Sequence, residues 1–155
     1  MASFSQERAA ENIMRTLIGL PEFLRKPMLE GRLREFYLLN EQDKREVVSD
    51  ILEAIPLFEG KKISALVKNW LVVLSNLDTT RIVEISKFYC QAIRNSPEII
   101  QKMPVEEITD TFVVLEETQK QKLADCLKEA ILSFPNKHKI MTLIPESGLR
   151  CLGMK

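Results

Sequence analysis

One histidine, three scattered cysteines and five glycines leave this 155-residue chain poor in the residues that most site chemistries need. A lone His138, in the polar run 136–139, supplies no second imidazole for a transition-metal site, and no cysteine pair has ligand spacing. The glycines never gather into a phosphate-cradling loop, so nucleotide-binding signatures are missing. Cys90, Cys126 and Cys151 are odd in number and far apart, which fits reduced thiols and a cytoplasmic setting better than a disulfide framework. Cys90 and Cys126 are expected as small packing residues, and Cys151 as the more accessible thiol.

Net charge is lacking too, with 22 basic against 22 acidic side chains, so nothing in the total favours nucleic acid or anionic lipid. The longest apolar run, Trp70 to Leu74, is far short of the ~18 residues that span a bilayer. Glu7, Arg8 and Glu11 stand where a secretory leader would be apolar, and no membrane association is expected. The sequence points to no catalytic constellation, no cofactor and no metal.

What the chain does have is a period. A step of 38 residues links Leu17, Ile55, Ile93 and Ile131, and also Ala54, Ala92 and Ala130. The same step joins Ala9, Val47, Ile85 and Leu123 in one column, and Ile13, Ile51, Tyr89 and Leu127 in another. These columns share one helical face. An apolar face repeated at this spacing is the mark of an α-solenoid, in which each unit buries its face only against a neighbour.

Each unit reads as a short helix opened by proline (Pro21, Pro97, Pro135), a helix A and a helix B. Helix A is expected at 29–39, 64–77 and 105–115, and helix B at 41–55, 79–94 and 117–133. Asn40, Asp78 and Glu116 occupy the turn between them, where a side-chain oxygen accepts a free N–H of the next helix. The expected architecture is therefore all-α: a single domain over 1–155, with repeats at 20–57, 58–95 and 96–133. A half-repeat cap at 5–18 and a C-terminal half-repeat at 134–155 would close the ends.

Unit length and the three-helix plan resemble armadillo and HEAT repeats over about 20–133. The segment from Pro104 to Leu115, with the helix from Gln119 to Ile131, also looks like the helical repeats of the MgtE N-terminal domain and of flagellar motor-switch proteins. These resemblances imply a macromolecule-binding or regulatory scaffold, and the first implies a right-handed superhelix. They carry over no functional residue.

Departures from the repeat suggest where a partner would bind. Val72 and Val73 replace Arg34 and Glu35 of the first unit and Asp110 and Thr111 of the third, and Trp70 lies one turn before Val73. Either this strip is an apolar hot spot, or a central helix encloses apolar surface on both flanks. Phe88, opposite Asp50 and Cys126, poses the same question, and Tyr37 is expected to be an exposed aromatic. Trp70, Val72, Val73, Phe88 and Tyr37 are thus the expected contacts of a protein partner, in a non-catalytic adaptor. Self-association through the same strip is left open.

The alternative is a nucleic-acid edge built from Arg25, Lys26, Lys61, Lys62, Lys102, Lys137 and Lys139, some of which share repeat columns. Zero net charge and the lack of interleaved aromatics weigh against it.

Overall fold

A computed structural model describes residues 2–154, with side chains from residue 9 onward. The first residues of the expected N-terminal cap, 5–8, therefore have no described side chains. Among the described residues there are ten α-helices and no strand. They are α1 (Ala2–Gly19), α2 (Glu22–Tyr37), α3 (Glu41–Ala54), α4 (Gly60–Ser75) and α5 (Thr79–Asn95), then α6 (Glu98–Lys102), α7 (Val105–Val113), α8 (Glu117–Leu132), α9 (Lys137–Leu143) and α10 (Glu146–Cys151). A single 3₁₀ turn at Ile55–Leu57 follows α3.

Capping chemistry places the starts of the B-type helices. Asn40 Oδ1 accepts from the Asp43 N–H at 2.8 Å, and Asp78 Oδ1 accepts from the Arg81 N–H at 2.9 Å. At the third start, Gln119 Oε1 reaches back to accept from the Glu116 N–H. Thus α3, α5 and α8 begin at residues 41, 79 and 117, and α2 and α4 begin at 22 and 60.

The helix before each of these departs from expectation in two units. A separate short helix exists as α6 and, in the C-terminal half-unit, as α9; in the first two units the chain runs straight through, so that α2 and α4 are 16 residues each. The cause is a proline between the two helices. Pro104 forces Met103 into the extended region (φ −75°, ψ 143°), separating α6 from α7, whereas Met28 and Leu66 occupy that position in α2 and α4. Pro27 lies inside α2 without ending it, leaving the Phe23 carbonyl without its intrahelical donor.

The helices form two packed rows. In one row α2 packs on α4, α4 on α7 and α7 on α10; in the other α1 packs on α3, α3 on α5, and α5 on α8 and α9. The central α4 also lies against α1 and α8. Of the repeated apolar columns, Leu17, Ile55, Ile131, Ala54, Ala130, Ile85 and Leu123 are buried, whereas Ile93, Ala92, Val47, Ile13, Ile51, Tyr89 and Leu127 are half-buried and Ala9 is exposed. One large core cluster runs from Met14 and Leu17 through Val48, Ile63, Val73 and Ile85. A smaller cluster, including Cys90, Ile131 and Ile140, closes the C-terminal end, and Phe112 packs against both.

Candidate protein-binding surface

The strip expected to dock a partner is packed instead. Val73 is 2% exposed and Phe88 is 8% exposed, and both belong to the main core cluster. Val72, Trp70 and Tyr37 are half-buried and pack against that cluster. The physical reason is position in the row: α4 has a helix on each flank, α2 and α7. Thr111, the counterpart of Val73 on α7, is likewise buried and donates its hydroxyl to the Glu107 carbonyl at 2.8 Å. Glu35, the counterpart on α2, is exposed and paired with Arg32 at 3.3 Å.

The aromatic residues of the strip have internal work. Trp70 hydrogen-bonds the hydroxyl of Tyr89, and burial, opposed in part by that bond, pushes the hydroxyl up to about 12. Phe88 meets Phe36 edge-on, with ring centroids 6.0 Å apart. Tyr37 is not a free aromatic, because the Arg81 guanidinium lies 4.7 Å from its ring centroid. Its hydroxyl is buried without a hydrogen-bond partner.

The seven basic residues are spread over α2, α4, α6 and α9. Arg25 is turned inward, donating to the Leu20 carbonyl and to Asn69 Oδ1 on α4, both at 3.0 Å. Lys102 lines a groove of about 470 Å³ beside Glu11, Asp50, Glu53 and Glu98, a setting that repels phosphate. Lys26, Lys61, Lys62 and Lys139 are exposed, and Lys137 is half-buried. His138 is exposed, and no cluster of three or more His, Cys, Asp or Glu among the described residues is arranged to hold a metal ion. Cys90 and Cys126 are buried and Cys151 half-buried.

A different surface stands out, on α2. At about 100° per residue, Leu29, Leu33 and Phe36 share the side of α2 turned to the core. Phe23, Leu24, Pro27, Met28 and Gly31 lie on the other side, with Leu38 continuing it past the helix end. Phe23 is 75% exposed, Met28 41% and Leu38 87%; Leu24 and Pro27 are exposed as well. The helix is apolar on two sides, which an ordinary surface helix is not. Elsewhere Leu57 and Leu132 stand singly and need no explanation, and Val113 and Val114 form an exposed pair at the end of α7.

The signal for this face was present in the columns. Phe23 and Leu24 of the first unit stand opposite Lys61 and Lys62 of the second, which are exposed even though α4 is flanked on both sides. In the third unit the same columns hold Ile99, which is buried, and Ile100, which is half-buried, so an apolar residue there is packed in one unit and open to water in another. In the sequence the apolar excess of the middle unit, a tryptophan beside two valines, is more conspicuous than that of the first.

No helix of the described residues is long and apolar enough to cross a membrane. No known protein family, curated protein or solved structure matches the chain. The likeness to armadillo, HEAT or MgtE-type repeats accordingly has no relative behind it; an all-helical chain of helix-on-helix packing is what stands.

Proposed function

We propose that this chain is a non-catalytic protein-binding scaffold, a short right-handed α-solenoid of three 38-residue units between half-units, and that the outer face of α2 is its contact surface. The observation that carries the reading is the run of exposed apolar residues on α2, two of which, Phe23 and Leu24, stand where α4 has the exposed Lys61 and Lys62. A contiguous apolar face kept in water costs solubility, and in soluble proteins such faces mark interaction sites. Phe23 is the anchor: a large, exposed side chain whose two side-chain torsions lose little entropy on docking.

A photo-crosslinking amino acid placed at Leu24 tests the reading in cells, with the same group at Lys62 on α4 as the control. A protein adduct in high yield from position 24 and absent from position 62 is expected. Equal adducts from both positions, no adduct at all, or an adduct with nucleic acid would sink it.

A further inference from the structure

We infer that the occupant of this face is an amphipathic α-helix of a partner protein, apolar along one side and acidic along its margin. The inference rests on the protein-binding reading and narrows it to one kind of ligand.

Shape is the first argument. Phe23, Pro27 and Gly31 form one row at four-residue steps, and Leu24 and Met28 form the next, so the surface consists of two parallel ridges with a groove between them. Gly31 ends the first ridge at backbone height. A Cβ placed there would meet nothing nearer than the Arg34 guanidinium at 3.7 Å, so the space above it is open to an approaching side chain. Ridges with a shallow gap at this spacing take the ridge of another helix, and axes packed in this way lie 8–10 Å apart. Every long contact in this row of the fold, α2 on α4 and α4 on α7, is already of helix on helix.

Position in the row is the second. Met28 is exposed, whereas Leu66, its counterpart on α4, is 6% exposed in a helix flanked on both sides. α2 packs mainly on α4 and α1, with Phe36 and Tyr37 reaching α5, and among the described elements none covers its outer face. A helix lying there would bury Met28 as the stack buries Leu66 and, to cover Phe23 and Leu24, would extend beyond the contact made within the stack, which leaves Lys61 and Lys62 exposed.

Charge is the third. Lys26, Glu30 and Arg34 run at four-residue steps beside the Phe23 row. Lys26 and Arg34 are exposed and have no ion-pair partner among the described residues, while Glu30 is half-buried. Arg32 and Glu35, on the far margin, neutralise each other. The uncompensated charge along the near margin is positive, which favours carboxylates on the incoming helix and disfavours lysines.

Three fluorescein-labelled peptides of equal length test this against the full chain by fluorescence anisotropy. One is an amphipathic helix with a leucine face and glutamate margins, the second carries lysines in place of the glutamates, and the third is the first with its order scrambled. The acidic helix is expected to bind at least tenfold more tightly than either of the others. Phe23→Ser/Met28→Ser should weaken it at least tenfold at unchanged circular dichroism, and Lys26→Glu/Arg34→Glu should turn the preference toward the lysine peptide. No saturable binding of the acidic helix, equal binding of the scrambled peptide, or indifference to both double variants overturns the inference. If position 24 still yields a partner adduct in that case, the protein-binding reading survives and only the helical occupant falls. A position 24 adduct with a second copy of this chain overturns the partner-helix inference directly.

Discussion

Helices α2 and α4 have the same length, start 38 residues apart and occupy the same row, yet they divide their apolar residues in opposite ways. In α4 the extra apolar residues, Trp70, Val72 and Val73, are drawn inward because helices lie on both of its flanks. In α2 the positions matching Trp70 and Val73 hold Arg32 and Glu35, an exposed ion pair, while the apolar excess sits at Phe23, Leu24 and Met28 in water. An apolar residue that breaks a repeat thus has two meanings, and only its neighbours decide between them. Where helices flank it, the residue is core. Where nothing covers it, the residue is available to something else.

The largest effect that separates the two helices is a buried charge. Val73→Asp is expected to cost more than about 3 kcal/mol, because an unpaired carboxylate would be placed among core side chains. Phe23→Asp on α2 should leave the denaturation midpoint nearly unchanged. Urea unfolding followed by circular dichroism compares them, and equal midpoints would mean that the two helices are not differently enclosed. Next in size is the polar bridge joining α2 to α4. Buried Asn69 accepts from Arg25 at 3.0 Å and donates to Glu22 at 3.4 Å. Asn69→Ala leaves a half-buried guanidinium with the Leu20 carbonyl as its remaining acceptor, at a cost of roughly 1–3 kcal/mol. A loss much below that range would show that α2 is held to α4 by apolar contact alone.

How much of this was legible in the sequence follows from the same comparison. The B-type helices were legible nearly to the residue, because their starts are fixed by local chemistry: Asn40 and Asp78 each cap a helix three residues before the N–H they bind. The union of the short helix with helix A was not, since a proline near a helix start is a weak boundary signal: Pro104 and Pro145 each separate two helices, whereas Pro27 lies inside α2. The exposed apolar face of α2 was legible in part. The columns contained the mismatch of Phe23 and Leu24 with Lys61 and Lys62, but a column does not say which side of a helix is covered. Trp70 and Phe88 were drawn to notice by residue type, whereas their burial depends on helices distant in sequence.

Alkaline titration gives a smaller and more graded test of the enclosed side. Burial pushes the Cys90 thiol up from 9.0 to about 11 and, opposed by the bond from Trp70, the Tyr89 hydroxyl up from 10.0 to about 12. Between these limits the unfolded chain has released protons that the folded chain still holds, so stability falls as pH rises. The decline should be absent for these groups below pH 9, begin near 9 with Cys90 and steepen above 10 with Tyr89. Tyr89→Phe should flatten the upper part of the curve. An unchanged slope in that variant would mean that the Tyr89 hydroxyl is not enclosed by α4.

The smallest expected effect is at Phe23. With three quarters of the side chain already in water, only about 50 Å² of a roughly 200 Å² surface is removed from solvent, worth about 1 kcal/mol at 25 cal/mol per Å². Phe23→Ser should therefore shift the midpoint of unfolding by no more than that, far less than truncating Leu33 on the same helix, where about 2–5 kcal/mol is expected for Leu33→Ala. A shift at Phe23 as large as at Leu33 would place this ring in the core and remove the basis for a contact face. A near-neutral result keeps the proposed contact face in play, because it leaves the Phe23 ring without a role in folding, unlike Ile99, which is buried in the same column.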